Sequence, residues 1–370
     1  MIDIDEIKKI LIKPRKQVDM LSPNEDLLGT GSSLLNLAIS GRVEGGIPAG
    51  RYVFFVGDSS SGKTFLSLTC LAEAKLNKKF RDYRLIFDDA EDGALMDLRR
   101  FFGDKVADTI EPPSLEKGEP VHSTTIEDFY FNLDDAAKKS KEDNQPFIYI
   151  LDSMDALSSK YEGKKFDERK TAKQKGKEAK GDYGDGKAKI NSGWMRRARA
   201  DLRDTGSILI VICQSRDNIN ASFFEPDQTR AGGRALRFYA DVEIWTSKGS
   251  SIKRKVRDKD RQVGINARLR IEKNRISGKE WSVSVPLLWS SGIDDVGSMV
   301  DYLVMEGQWP KNKGGMIDGS KDFKGCSGYR EKVIQFIEAG DLEDDVRDLV
   351  ADVWAAVEKA CVLKRKRRYE

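Results

Sequence analysis

The residues Gly57-Asp58-Ser59-Ser60-Ser61-Gly62-Lys63-Thr64, followed by Phe65, match G-x-x-x-x-G-K-[ST] at every fixed position. Gly57 and Gly62 allow the backbone to curl so that successive N–H groups converge on phosphate oxygens. A helix starting there adds its partial positive charge. Lys63 is then placed to reach the β- and γ-phosphates, and the Thr64 hydroxyl to ligate Mg²⁺. The flanking residues fit this reading. Tyr52–Val56 is an aromatic and β-branched run of the kind that makes a buried strand, and Phe65, Leu68, Leu71 and Ala72 mark the apolar face of a helix. A glycine-rich turn without a ligand is the alternative, and the strand-before, helix-after context argues against it. The stretch reads as a site for ATP with Mg²⁺.

Transfer of a phosphoryl group to water needs a metal, a positioned water and cations on the developing charge. Asp152 ends the apolar run Phe147–Leu151 and fits a carboxylate that helps to hold Mg²⁺. The cluster Asp88-Asp89-Ala90-Glu91 ends an earlier apolar run, Leu85–Phe87, and one of its carboxylates can polarise the attacking water.

These residues have to be positioned by strands. Tyr52–Val56, Arg84–Asp88, Val106–Ile110, Pro146–Asp152 and Ser207–Cys213 read as strands with helices between them, Ile126–Lys138 among the latter. Strands that are apolar throughout and alternate with helices imply a parallel sheet covered on both faces. Their polar residues gather at the carboxyl ends, where an open α/β sheet binds its ligand. Residues 1–22 read as a short amphipathic helix broken at Pro14. Beyond Asp241 the pattern turns to β, and from about Asp294 it is mostly helical, ending in a basic tail.

The chain has 370 residues and a net charge of only +3, so a nucleic-acid surface has to be local. No apolar run approaches a membrane span, and the acidic N-terminal residues do not fit a signal peptide. Four cysteines without a C-x-x-C pair, and a single histidine, His122, leave a zinc site short of ligands. These features predict a soluble protein of a reducing compartment, the cytoplasm.

Two stretches suit a single nucleic-acid strand, which is bound by cations along its phosphates and by aromatic or apolar side chains against its bases. The first is the polar loop Ser215–Ala231, with Arg216, Phe223, Phe224 and Arg230. Its bland alternative is a surface loop whose phenylalanines pack on the core. The second is the lysine-rich segment Lys160–Lys189, containing Lys164 and Lys165, which has almost no apolar residues and reads as mobile. An amphipathic helix, Ile190–Leu202, follows it and carries Arg196 on its polar side. Both stretches directly follow strands of the ligand edge.

From Gly29 to Trp289 the sequence resembles the RecA-type recombinases, including their phage UvsX-like members. The resemblance rests on several motifs in order: Gly29-Thr-Gly-Ser-Ser, Gly45-Gly-Ile-Pro-Ala-Gly-Arg51, the phosphate loop, Phe87-Asp-Asp-Ala-Glu91, Ile150-Leu-Asp-Ser153, Ile212-Cys-Gln214, Ala231-Gly-Gly-Arg-Ala-Leu-Arg-Phe-Tyr-Ala240 and Glu272-Lys-Asn-Arg-Ile276. It implies an α/β fold, a RecA-like P-loop NTPase core whose mostly parallel twisted central sheet is flanked by helices. A short N-terminal helix and a small helical C-terminal region complete it. The implied division is 1–28 for the N-terminal helix and linker, a protomer contact; 29–290 for the core, with the insertion 160–189 and the DNA loop 215–231; and 291–370 for the C-terminal region.

The resemblance also implies roles. Glu91 becomes the catalytic carboxylate, Gln214 the sensor of the γ-phosphate, and Gly232, Gly233 and Arg234 part of the segment closing the DNA loop. Lys273 and Arg275 become the cations donated to a neighbouring subunit's ATP. On their own residues these two are cations on one face of a strand end, where solvent exposure is the simpler reading. The family stacks an aromatic on adenine at a position that holds Leu95 or Leu98 here. The implied function is an ATP-dependent recombinase that forms helical filaments of itself on single-stranded DNA and pairs it with duplex, meeting single-strand binding and loader proteins. A hexameric helicase or translocase on the same core, and a regulatory ATP-binding module without DNA activity, are the rival readings. The short N-terminal region and lysine-rich insertion lean toward a phage-encoded member.

Overall fold

The computed structural model describes residues 26–93, 96–174, 186–217, 228–230, 234–363 and 365. The expected helix of residues 1–22, Leu95, Phe223, Phe224, Gly232 and Gly233 lie outside the described residues, as does most of the basic tail.

Among the described residues, ten strands form one sheet: β1 (Tyr52–Gly57), β2 (Arg84–Asp89), β3 (Ile110–Glu111), β4 (Phe147–Asp152), β5 (Ile208–Asp217), β6 (Gln228–Arg230), β7 (Val242–Val256), β8 (Lys259–Asn274), β9 (Ser282–Leu288) and β10 (Gly292–Ile293). Nine lie side by side in the order β10-β9-β8-β7-β1-β5-β4-β2-β3, and β6 pairs only with β5. From β3 to β7 every neighbouring pair is parallel. From β7 to β10 the pairs are antiparallel. This is the α/β fold with a mostly parallel twisted sheet that the chain's alternating strands and helices predict.

The central strands are apolar on both faces because both faces are covered. Val53 and Phe55 of β1 join Ile148 and Ile150 of β4 and Ile210 and Ile212 of β5 in one core. Tyr52, Phe54 and Val56 join Tyr149, Leu151, Leu209 and Val211 in the other. The first face is covered by α1 (Ser33–Ser40) and α2 (Lys63–Leu76), and the second by α3 (Ile126–Asp143) and α5 (Gly186–Thr205). Every residue from Tyr52 to Val56 is fully buried, so truncating Phe55 to Ala would cost about 3–5 kcal/mol.

α3 starts where its sequence directs. Thr125 accepts from the Asp128 N–H and the Asp128 carboxylate accepts from the Thr125 N–H, a capping box. The C-terminal region is built from α7 (Asp295–Met305), α8 (Arg330–Ala339) and α9 (Glu343–Ala360). Met299, Leu303, Val333, Ile337, Val350 and Trp354 carry it onto the first core.

Two local expectations differ. Val106–Ile110, read as a strand, begins as a helical turn at Asp104–Ala107 and gives only the two-residue β3. Val106 is its sole fully buried apolar side chain there, too little to anchor a full strand. The first half of the lysine-rich segment, expected to be mobile, is a helix, α4 (Lys160–Gln174), exposed along most of its length, and residues 175–185 lie outside the described residues. Lys, Glu, Arg and Gln are good helix formers even without an apolar face to pack.

β7 and β8 make a long hairpin. β7 pairs with β1 only from Val242 to Thr246, and β8 pairs with β9 only from Gly264 to Arg270. Beyond both, Lys253–Val256 and Lys259–Gln262 form a two-stranded ribbon turned at Arg257 and Asp258, both at positive φ as a tight hairpin turn requires.

Candidate functional site

The parallel register brings the predicted residues to one edge. Gly57 lies opposite both Gln214 and Thr246, and Asp89 lies opposite Asp152. Strand ends that are level leave their next residues, the P-loop, Glu91, Ser153 and Ser215, facing one space at the carboxyl edge.

Between β1 and α2 the loop Gly57–Gly62 curls with Ser60 at φ 60° and Gly62 at φ 93°. Gly57 tolerates no side chain, since a Cβ there would lie 2.1 Å from the Thr246 carbonyl oxygen. Lys63 Nζ donates to the carbonyls of Gly57 at 2.8 Å and Asp58 at 2.7 Å, closing the loop on itself. Burial lowers the Lys63 pKa, and Asp152, Glu91 and Asp58 oppose that shift. An ammonium held among polar acceptors with acids close by suits a densely charged anion.

Thr64 Oγ1 donates to Asp152 Oδ2 at 2.5 Å. Burial raises the Asp152 carboxyl to about 6, with Glu91 and Asp89 adding to the rise and Thr64 and Lys63 opposing it. A hydroxyl and a buried carboxylate at the rim of the phosphate loop are hard oxygen donors of the kind Mg²⁺ takes beside substrate phosphates. The pair therefore fits Mg²⁺. Among the described residues, no group of three or more His, Cys, Asp and Glu could hold a metal by itself.

Glu91 follows β2, its N–H bonded to the Asp152 carbonyl at 3.1 Å. Its Oε1 accepts from Ser153 Oγ and, at 3.3 Å, from Gln214 Nε2. Glu91, Gln214, Asp152, Lys63 and Thr64 all line one cavity of about 410 Å³. The same cavity has apolar lining from Phe65, Met96, Phe101, Ile265, Leu287 and Trp289. Phe65 packs on Phe101 and Phe102, with ring centroids 5.1 and 5.5 Å apart. With both polar and aromatic lining, the cavity has the mixture that a nucleotide needs.

That aromatic wall went unrecognised in the sequence. Leu98 is half-buried against the core and does not line the cavity. Phe101, three residues further on, and Trp289, at the end of β9, do. Spacing from Glu91 could have found Phe101 only with the helical turn Leu98–Phe102 in view, and nothing local marks Trp289.

Lys273 and Arg275 lie elsewhere. Lys273 is opposite Glu243, which is opposite Phe54. The pair therefore sits toward the amino end of β1, roughly 10 Å along the strand from Gly57 at about 3.3 Å per residue. Neither lines the cavity. Both do point the same way. Lys273 Nζ donates to the carbonyls of Arg237 at 2.6 Å and Phe238 at 2.9 Å, and Arg275 Nη2 donates to Phe238 at 3.1 Å. Those carbonyls end α6 (Arg234–Tyr239), where Phe238 is exposed. Burial, then the neighbouring Arg275, lowers Lys273 to about 8.

Of the candidate DNA contacts, Arg216 is 66% exposed near the end of β5. Arg230 pairs through its backbone with Ser215, so both ends of the 215–231 loop are a strand pair rather than free loop. Arg234 begins α6. Lys164 is exposed and Lys165 half-buried on α4, and Lys165 pairs with Glu168. Arg196, exposed on α5, donates to Tyr239 Oη at 3.3 Å. No helix among the described residues is long and apolar enough to cross a membrane.

A family model for the RecA N-terminal domain matches residues 168–294. Protein RecA of Colwellia psychrerythraea is 26% identical over 360 residues, covering 95% of this chain and 91% of its own. Protein RecA of Gluconacetobacter polyoxogenes is 26% identical over 352 residues, with 91% and 84% covered. Protein RecA of Rickettsia bellii is 28% identical over 301 residues, with 78% and 75% covered. The chain is thus similar to RecA proteins over most of its length, and to the RecA N-terminal domain over residues 168–294.

Proposed function

We propose that the protein is an ATP-dependent DNA recombinase. It assembles as a helical filament on single-stranded DNA, pairs that strand with homologous duplex and exchanges strands, and DNA-stimulated ATP hydrolysis releases the filament. Single-strand binding and loader proteins would be its partners.

The observation that carries this reading is the separation of Lys273 and Arg275 from the chain's own phosphate loop. The cavity supplies Lys63, Thr64, Asp152, Glu91 and Gln214, but its described lining offers no second cation for the transferring phosphoryl group. Two cations toward the amino end of β1, beside the exposed Phe238, would complete a neighbour's site instead. Hydrolysis then depends on assembly, as it does where an arginine is supplied in trans.

Within a completed site, Lys63 would turn from the Gly57 and Asp58 carbonyls to the β- and γ-phosphates. Thr64 and Asp152 would hold Mg²⁺, which supplies charge neutralisation to the phosphates. Glu91 would orient the attacking water and accept its proton. Gln214, at the head of the 215–231 loop, would exchange its bond to Glu91 for one to the γ-phosphate. Phe65, Phe101 and Trp289 would receive the base.

The test joins turnover to imaging. ATP hydrolysis is measured with and without single-stranded DNA, and the protein is viewed by electron microscopy with DNA and an ATP analogue. Stimulated hydrolysis, lost in Lys63→Ala, together with helical filaments is the expected result. Closed rings that unwind duplex would instead support the hexameric motor, and nucleotide binding without any DNA effect the regulatory module.

A further inference from the structure

Asp155 has no part in the chemistry so far described, yet it touches both ends of the route from the DNA loop to Glu91. It follows Asp152-Ser153-Met154 in a turn tied to β5 by the Met154 N–H, which donates to the Ile212 carbonyl at 3.0 Å. Its side chain is only 11% exposed. Asp155 Oδ2 accepts from the Gln214 backbone N–H at 2.6 Å. Asp155 Oδ1 lies 3.5 Å from Arg216 Nη2, and this buried oxygen has no hydrogen bond. Gln214 Nε2 in turn donates to Glu91 Oε1. One carboxylate thus holds the backbone of Gln214 through one oxygen and the Arg216 guanidinium, loosely, through the other.

We propose that Asp155 is a positioning residue that couples DNA phosphate at Arg216 to the release of Glu91 by Gln214. This rests on the recombinase reading above. Without DNA, Glu91 Oε1 is engaged by two donors, Ser153 and Gln214, and its lone pairs are not free for water. Arg216 is exposed and its pair with Asp155 is long, so a phosphodiester that accepts two N–H bonds competes well for the guanidinium. Once Arg216 leaves, Asp155 Oδ1 is a buried acceptor with no cation beside it, which is unfavourable. The carboxylate turns toward solvent and takes the Gln214 N–H with it. The Gln214 amide then leaves Glu91, which becomes free to bind water.

Asp155→Asn tests this, because an Asn whose oxygen accepts the Gln214 N–H must turn its amide NH2 toward the Arg216 guanidinium, so the closed arrangement is lost. Hydrolysis without DNA should rise roughly fivefold or more, the lower end of an ordinary coupling free energy, and the further stimulation by DNA should shrink by the same factor. Single-strand affinity should rise, because Arg216 no longer has to leave a partner, while the slope of log affinity against log salt stays the same, since Arg216 meets phosphate in both proteins.

Arg216→Gln changes an exposed side chain and serves if the first variant folds poorly. It should raise the DNA-free rate equally while weakening DNA binding. The double variant should show the DNA-free rate of either single, since one latch cannot be opened twice. Unchanged DNA-free rates in both singles, with wild-type stimulation intact, overturn the latch alone. A lower rate accompanied by a lower Tm in Asp155→Asn, with Arg216→Gln silent, overturns it as well and leaves Asp155 a structural cap. A wild-type protein that DNA does not stimulate overturns the recombinase reading and the latch with it.

Discussion

Thr64 Oγ1 donates to Asp152 Oδ2 across 88 residues of chain, at 2.5 Å. The bond joins the first turn of the P-loop helix to the end of a strand two places away in the sheet, through the order β1-β5-β4. Neither residue is near the other in sequence, and the parallel register alone makes them partners. The consequence for Asp152 is electrostatic. Buried beside Glu91 and Asp89, it costs more when charged than an exposed carboxylate does.

That cost gives a stability prediction with a definite sign. Folding raises the Asp152 carboxyl from 3.8 to about 6, so the nucleotide-free fold favours the protonated form. The stabilisation from this group is fully present below about pH 4 and is lost as the pH rises through about 6. Asp152→Asn is neutral at every pH and keeps an acceptor for Thr64. It should therefore stabilise the nucleotide-free protein at pH 8, by on the order of 1–2 kcal/mol, and give little at pH 4. Hydrolysis should be lost. Chemical unfolding at the two pH values checks it, and equal effects at both would show that Asp152 is not the strained charge.

Glu91→Gln should preserve ATP binding and slow hydrolysis by roughly 10²- to 10⁴-fold, the range for a missing general base. Filaments should then persist longer on DNA. Single-turnover hydrolysis and filament lifetimes provide the measurement, and faster disassembly would remove Glu91 from this role.

The aromatic wall can be separated from the phosphate loop. Phe101→Ala and Trp289→Ala should each weaken ATP binding by about 1–2 kcal/mol, roughly fivefold to thirtyfold in Kd. Binding of inorganic tripolyphosphate, which has no base, should be unchanged. Equal losses for ATP and tripolyphosphate would mean that the two aromatics support the loop rather than the base.

How legible these parts are in the sequence follows from how local they are. Gly57–Thr64 declares itself because eight consecutive residues form one turn, and Asp152 because it ends an unbroken apolar strand. The sheet could be read because Val53, Phe55, Ile150 and Ile210 belong to strands buried on both faces. The base wall could not, since Phe101 and Trp289 line one cavity only after β9 has returned antiparallel to β8. Asp155 is one acid among 61. Only the cross-strand bond to Gln214 distinguishes it. Low hydrophobicity keeps Lys160–Gln174 out of the core without preventing a helix there.

The placement of Lys273 and Arg275 yields the most demanding prediction. Lys273 Nζ is tied to the last carbonyls of α6, toward the amino end of the sheet, while Glu91 and Lys63 face the carboxyl edge. If these cations serve a neighbour, Lys273→Ala should retain ATP binding and lose DNA-stimulated hydrolysis. Alone, Glu91→Gln is equally inactive, though for a different reason. Mixed on DNA, the two variants form some interfaces in which an intact Glu91 from one protomer faces an intact Lys273 from the next. Each such interface is a complete site, so activity should return to a substantial fraction of wild type, greatest near equal amounts. The cations' partial burial makes a second feature measurable. Lys273 is lowered to about 8, so stimulated hydrolysis should fall as the pH rises through that value. In Lys273→Arg, whose guanidinium stays charged, the fall should disappear. A mixture showing only the sum of the separate variants would place the two cations outside any shared site.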